Sequence, residues 1–141
     1  NKYYEISLLN VDKAEIVSDD LSARLKKFSE DEKIIITKSS KFVEKATLFP
    51  NSHFVIGYDT GLRILDESYL NIDESLDDLF STIDEKKCKF IVAGRVNVTG
   101  KEFDNLKLDN LSSKYKNLFE LIEEKDFRED VSSTEKRRQN N

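Results

Sequence analysis

An α/β fold is predicted, an open and mainly parallel sheet with helices on both faces. Short apolar runs recur along the chain: Ile34-Ile35-Ile36-Thr37, His53-Phe54-Val55-Ile56-Gly57 and Lys89-Phe90-Ile91-Val92-Ala93-Gly94. Continuous apolar runs of this kind suit parallel strands covered on both faces. Stretches of helical period separate them, and such alternation builds right-handed βαβ units. Polar and small residues gather where the runs end: Asn10 and Lys13, Thr37, Gly57 and Asp59, Arg95, and Ser132 to Arg137. In open α/β sheets the carboxyl ends of the strands are where ligands bind.

The elements follow in order. Residues 3–11 suit a first strand, with Tyr4, Ile6 and Leu8 on one face. A helix starts at Ser18, with Asp19 and Asp20 in its first turn and Leu21, Leu25 and Phe28 as an apolar stripe. After the Ile34–Thr37 strand, Ser39 or Ser40 is expected to cap a helix that buries Phe42, Val43 and Ala46 and stops at Pro50. His53–Gly57 is the next strand, and Asp59 or Thr60 caps the short helix behind it. Ser75 with Asp78 opens a helix whose inner side is Leu76, Leu79, Phe80 and Ile83. Lys89–Gly94 is a third buried strand ending at Arg95, and Thr99-Gly100 marks a turn. Leu111 to Ile122 carries a helical period, yet a strand is expected over Leu118–Ile122 on the resemblance described below. Ser132 and Glu135 form a capping box for a terminal helix.

Composition narrows the function classes. The 141 residues suit one domain, taken as 1–137 with a frayed tail at 138–141. The net charge of −5 argues against a sequence-independent nucleic-acid binder. It does not argue against a nucleotide, for which a local Arg/Lys pocket suffices. Cys88 is the single cysteine, so an internal disulfide and a thiolate metal cluster are excluded, and a buried thiol is expected. No signal peptide or membrane span is read from the short apolar runs, so a cytoplasmic location and no membrane partner are expected. The chain has no methionine, and Asn1 is expected not to be the native start.

The stretch Asp130-Val131-Ser132-Ser133-Thr134-Glu135-Lys136-Arg137 carries the most chemistry. A first helical turn with free N–H groups, the hydroxyls of Ser133 and Thr134, and the Arg137 fork make an anion site. A well-capped terminal helix is the plain alternative. In Gly57-Tyr58-Asp59-Thr60 a glycine admits a ligand to the backbone, and a carboxylate two residues on can accept both hydroxyls of a ribose. Asp59 serves equally well as a helix cap. Arg95 is otherwise a solvated strand-end arginine, Lys13 a surface lysine, Tyr69 a half-buried packing residue, and His53 is read as structural.

Val131-Ser132-Ser133-Thr134 with Arg137 resembles the I-S-S-T-x-I-R signature of the adenylyl- and cytidylyltransferases of the HxGH nucleotidyltransferase superfamily, nearest to the nicotinamide/nicotinate-mononucleotide adenylyltransferases. Lys136 departs from it, standing where the family has an apolar residue. Gly57-Tyr58-Asp59 is similar to the family's G-x-D segment, whose aspartate contacts the ATP ribose. Ala93-Gly94-Arg95 resembles a segment near the nucleotide, and Asn10-Val11-Asp12-Lys13 a turn close to the mononucleotide phosphate. Lys41 to Ala46 with Leu48-Phe49-Pro50 resembles a further helix and turn, so the likeness runs from Tyr4 to Arg137. It implies a Rossmann-like sheet and places a strand over Leu118–Ile122. It also implies ATP binding with Mg²⁺ and adenylyl transfer to a phosphorylated co-substrate in the intact protein, as in NAD biosynthesis.

On that resemblance, Gly57, Asp59, Arg95, Ser132, Ser133, Thr134 and Arg137 are the nucleotide-binding residues. Arg137 also serves catalysis, and Asn10, Lys13, Thr37 and Tyr69 lie toward the co-substrate. No protein metal ligand is expected. The family's G-x-F-x-P-x-H-x-G-H loop needs two histidines, and this chain has one, His53, outside such a motif. The likeness therefore implies either a C-terminal portion without the family's first βα unit, whose uncovered edge favours a homo-oligomer, or a relative that has lost catalysis. Two alternatives stay open: a non-catalytic nucleotide-binding or protein-interaction domain on the same fold, and an unrelated flavodoxin-like domain that flavin binding would mark.

Overall fold

The computed structural model describes residues 1–9, 18–96, 99–100, 102–109 and 111–126. The chain forms two compact units, Asn1–Phe49 and Pro50–Asn141. Both are mixed α/β, with parallel strands joined through helices.

The first unit contains β1 (Tyr4–Ser7), α1 (Ser18–Leu25), β2 (Ile34–Thr37) and α2 (Phe42–Leu48). β1 and β2 pair in parallel from Tyr4↔Ile34 to Ser7↔Thr37. The ladder of β1 is shorter than the predicted strand, whose last residues, Asn10 and Val11, lie outside the described residues. α1 starts at Ser18, and Asp19 and Asp20 complement the positive end of its dipole. Phe28 falls beyond the helix, and its ring lies 5.1 Å from that of Tyr4. β2 is not covered on both faces as its apolar run suggests, because Ile36 is 45% exposed.

The start of α2 also differs from expectation. Lys41, not Ser39 or Ser40, holds the N-cap position. Glu44 Oε2 accepts from the Ser40 and Lys41 amides at 3.0 and 3.3 Å, which satisfies the helix entrance from inside. The Ser39 backbone is tied to the strands before the helix: its carbonyl accepts from Ser7 Oγ at 2.6 Å, and its N–H donates to Thr37 Oγ1 at 3.3 Å. α2 buries Ala46 and ends at Leu48, two residues before Pro50.

The second unit contains β3 (His53–Gly57), α3 (Tyr58–Ile64), a 3₁₀ turn at Glu67–Tyr69, α4 (Leu76–Glu85) and β4 (Lys89–Ala93). β5 (Arg95–Val96), β6 (Phe103–Asp104), α5 (Ser113–Lys116) and β7 (Phe119–Ile122) follow. β3, β4 and β7 form a parallel sheet in that order, and β5 and β6 form a short antiparallel ribbon. Central β4 is the strand that its apolar run predicts, with Phe90 and Val92 fully buried. β3 lies on one side of β4 only: Ile56 is buried, but Val55 is 71% exposed, so the expected burial on both faces does not hold.

α4 follows its sequence closely. The Ser75 hydroxyl accepts from the Asp78 amide at 3.1 Å, and the Asp78 carboxylate accepts from the Ser75 amide at 3.1 Å. This reciprocal cap sets the helix phase, so Phe80 and Ile83 face inward and are fully buried. Phe119 stacks on Phe90 at 5.2 Å and meets Phe80 edge-on at 5.5 Å. Tyr115 of α5 lies 5.9 Å from Phe80. Burying each phenylalanine stabilises by about 1.5–3 kcal/mol. Cys88 is buried, as expected.

The ambiguous stretch Leu111–Ile122 resolves into both forms. α5 takes the helical part, and Phe119–Ile122 is a strand parallel to β4. Gly100 has φ +69°, the left-handed geometry a glycine adopts without strain at the Thr99-Gly100 turn. No helix among the described residues is long and apolar enough to cross a membrane.

Candidate functional site at the carboxyl ends of the parallel strands

The register of the sheet creates the site. Gly57 pairs with Ala93, and Ala93 with Ile122, so three parallel strands end at one level. Asp59 lies two residues beyond Gly57, and Arg95 two residues beyond Ala93. The equal offsets bring them together: Arg95 Nη1 donates to Asp59 Oδ2 at 2.8 Å. The Arg95 guanidinium also lies over the Tyr58 ring, 5.4 Å from its centroid.

The pair is accessible, with the Arg95 side chain 37% and the Asp59 side chain 63% exposed. One donor is not satisfied. Arg95 Nε is buried and has no hydrogen-bond partner among the described residues. Leaving a buried donor unmatched costs about 1–3 kcal/mol, so this guanidinium is not in its best-satisfied arrangement.

Local backbone holds the two groups in place. α3 begins directly after β3 with Gly57 at the N-cap, so neither Asp59 nor Thr60 caps it, and Asp59 sits in its first turn. A Cβ on Gly57 would meet nothing within 4 Å, so there is open room beside the backbone at the strand end. Gly94 is the opposite case. A Cβ there would lie 2.5 Å from the Asp104 carbonyl oxygen and 2.6 Å from Phe103 Cζ. The β5–β6 ribbon thus packs on Gly94, and Arg95 opens the ribbon, pairing in register with Asp104. At the third strand end, Asn105 Nδ2 donates to the Ile122 carbonyl at 3.0 Å, while its Oδ1 accepts from the Leu106 amide.

Of the sequence-predicted site residues, the structure brings Gly57, Asp59 and Arg95 to one place. Tyr69 ends the 3₁₀ turn, half-buried, its amide donating to the Asp66 carbonyl at 3.2 Å. Thr37 belongs to the first unit. Its hydroxyl donates to Glu5 Oε1 at 2.5 Å and accepts from the Ser39 amide, and Lys45 Nζ completes the group 2.9 Å from Glu5 Oε2. Asn10, Lys13, Ser132, Ser133, Thr134 and Arg137 lie outside the described residues. His53 is exposed at the start of β3, at the opposite end of that strand from Gly57. Sequence reasoning passed over Tyr58 and Asn105. Tyr58 could have been found from its place between Gly57 and Asp59, whereas nothing in the sequence around Asn105 signals a strand-end contact.

Among the described residues no group of three or more His, Cys, Asp or Glu side chains could hold a metal ion. Comparison with protein-family models, curated proteins and solved structures gives no match.

Proposed function

We propose that the second unit is a nucleotide-binding module of Rossmann-like type, and that the intact protein transfers an adenylyl group from ATP to a phosphorylated co-substrate. The contact of Asp59 with Arg95 at the ends of adjacent parallel strands carries this reading. A carboxylate there accepts ribose hydroxyls, and a guanidinium beside it takes phosphate oxygens. The open space next to Gly57 supports it, since a ligand can approach the backbone at that point. In such a transfer the co-substrate phosphate attacks the α-phosphorus of ATP and pyrophosphate leaves. Positioning and neutralisation of charge supply the rate. Mg²⁺ enters with the ATP phosphates, and the terminal Ser132–Arg137 motif is the further phosphate contact in this reading. A cytoplasmic location and a homo-oligomer go with it.

A second reading is favoured by a specific observation. His53 is exposed at the far end of β3 from Asp59, so the described residues bring no histidine to the site. On that ground the chain by itself binds nucleotide without transferring it. Calorimetric titration of the full chain with Mg-ATP tests the shared claim. Arg95→Ala is expected to weaken binding by about 1.5–3 kcal/mol, the usual worth of a hydrogen bond to a charged group. Equal affinity in wild type and variant would remove Arg95 from the site. Pyrophosphate release with nicotinamide mononucleotide separates the transferase from the binding module.

A further inference from the structure

We infer that the Asp59–Arg95 ion pair is itself the resident occupant of the nucleotide site, a contact that disfavours free anions and favours a ligand bearing both a ribose and a phosphate. The inference rests on the nucleotide reading above and adds how the site selects.

Each half of the pair uses the other at the position a ligand needs. Asp59 Oδ2 accepts from Arg95 Nη1 at 2.8 Å, so the pair occupies one of the carboxylate's acceptor sites and turns its charge toward the guanidinium rather than toward a ligand. The negative charge of Asp59 beside the guanidinium offsets its attraction for a free phosphate. The closed arrangement is also incomplete, because Arg95 Nε is buried without an acceptor among the described residues. Turning the guanidinium away from Asp59 toward a phosphate offers Nε an acceptor. The pair is half-exposed, and ion pairs of that kind are weak enough for a ligand to displace.

Ligands differ in whether they replace both halves. Pyrophosphate satisfies Arg95 but sets new negative charge beside an Asp59 that has lost its partner. A nucleoside satisfies Asp59 but leaves Arg95 with no anion. A ribonucleotide does both, with hydroxyls on Asp59 and phosphate oxygens on Arg95. The Tyr58 ring beneath the guanidinium keeps Arg95 near this position in either state.

The test uses the full chain with ATP, 2′-deoxy-ATP and pyrophosphate, titrated into wild type and Asp59→Asn. Wild type is expected to prefer ATP to 2′-deoxy-ATP and to bind pyrophosphate poorly. Asp59→Asn frees Arg95, so pyrophosphate should bind about three- to fivefold tighter, the fold-change that a half-exposed ion pair is worth. The preference for ATP over its 2′-deoxy form should fall toward one. Asp84→Asn removes a charge from α4 and should leave pyrophosphate binding unchanged. An equal gain there would reduce the effect to net charge and overturn the inference.

A direct readout needs no variant: the Arg95 Nε–H resonance in wild type should shift with ATP and stay in place with pyrophosphate. Pyrophosphate binding no tighter in Asp59→Asn, with ATP still lost in Arg95→Ala, sinks the closing role and leaves the nucleotide site standing. No ATP binding to wild type removes the nucleotide reading and this inference with it.

Discussion

The Glu5–Lys45 pair of the first unit and the Asp59–Arg95 pair of the second are the same chemistry in two surroundings. Glu5 has both carboxylate oxygens engaged, one by Thr37 and one by Lys45, and the Lys45 side chain is only 12% exposed. Thr37 is in turn engaged by the Ser39 amide, and the Ser39 carbonyl by Ser7. Asp59 is 63% exposed, and its arginine carries a buried donor without an acceptor among the described residues. A pair whose neighbours complete it holds strands and helix together. A pair left incomplete beside open space is suited to exchanging its partner for a ligand.

The largest effect that would sharpen this contrast is on stability in the first unit. Glu5→Ala strands Lys45 and Thr37, and urea unfolding is expected to show a loss of about 2–4 kcal/mol, somewhat under the figure for a fully buried pair. A loss under about 1 kcal/mol would place Glu5 with ordinary surface bridges and erase the difference between the two pairs. Next is Gly94→Ala. The added methyl group meets backbone and ring at once, so a loss of about 1–3 kcal/mol is expected, with weaker ATP binding because Arg95 is displaced. A variant with wild-type melting and affinity would show that the ribbon does not set the arginine.

The smallest effect is one of pH. The Asp66 carboxylate accepts from Ser68, whose hydroxyl and amide hold it below the ordinary aspartate value. Its folded-state value is the lowered one. The turn at Glu67–Tyr69 therefore keeps this cap above the unfolded-state value and loses it as pH falls through the folded one. NMR titration should show the Ser68 amide moving with the Asp66 carboxylate at a pH below that of an unfolded aspartate. Titration at or above that pH would mean the cap adds nothing.

Much of the fold was legible because apolar runs and capping pairs are local. Ile34–Thr37, His53–Gly57 and the Ser75–Asp78 cap all stand where the residues indicate. The capping of α2 was not legible, because the helix starts at Phe42 and Glu44 closes its entrance from inside, while the Ser39 backbone is bonded to Ser7, 32 residues away. β5 and β6 escaped because two-residue strands have no period to detect. Leu111–Ile122 was ambiguous because Tyr115, Leu118 and Phe119 are all buried, and that spacing fits a helical stripe even where the chain has become extended. In the site, Asp59 and Arg95 were each visible as strand-end residues. Their pairing was not, because they lie 36 residues apart and meet through the Gly57↔Ala93 register.

The packing at Gly94 limits how the site can adapt. A carbonyl oxygen and an aromatic ring stand where a side chain would begin, and neither partner there can swing aside as a long aliphatic chain does. The Cα of Arg95 is thereby anchored by parts with few torsions of their own. Accommodation of ligands of different length on this side must come from the four χ angles of the arginine. Its reach should vary from one bound molecule to the next while the strand end beneath it stays where it is.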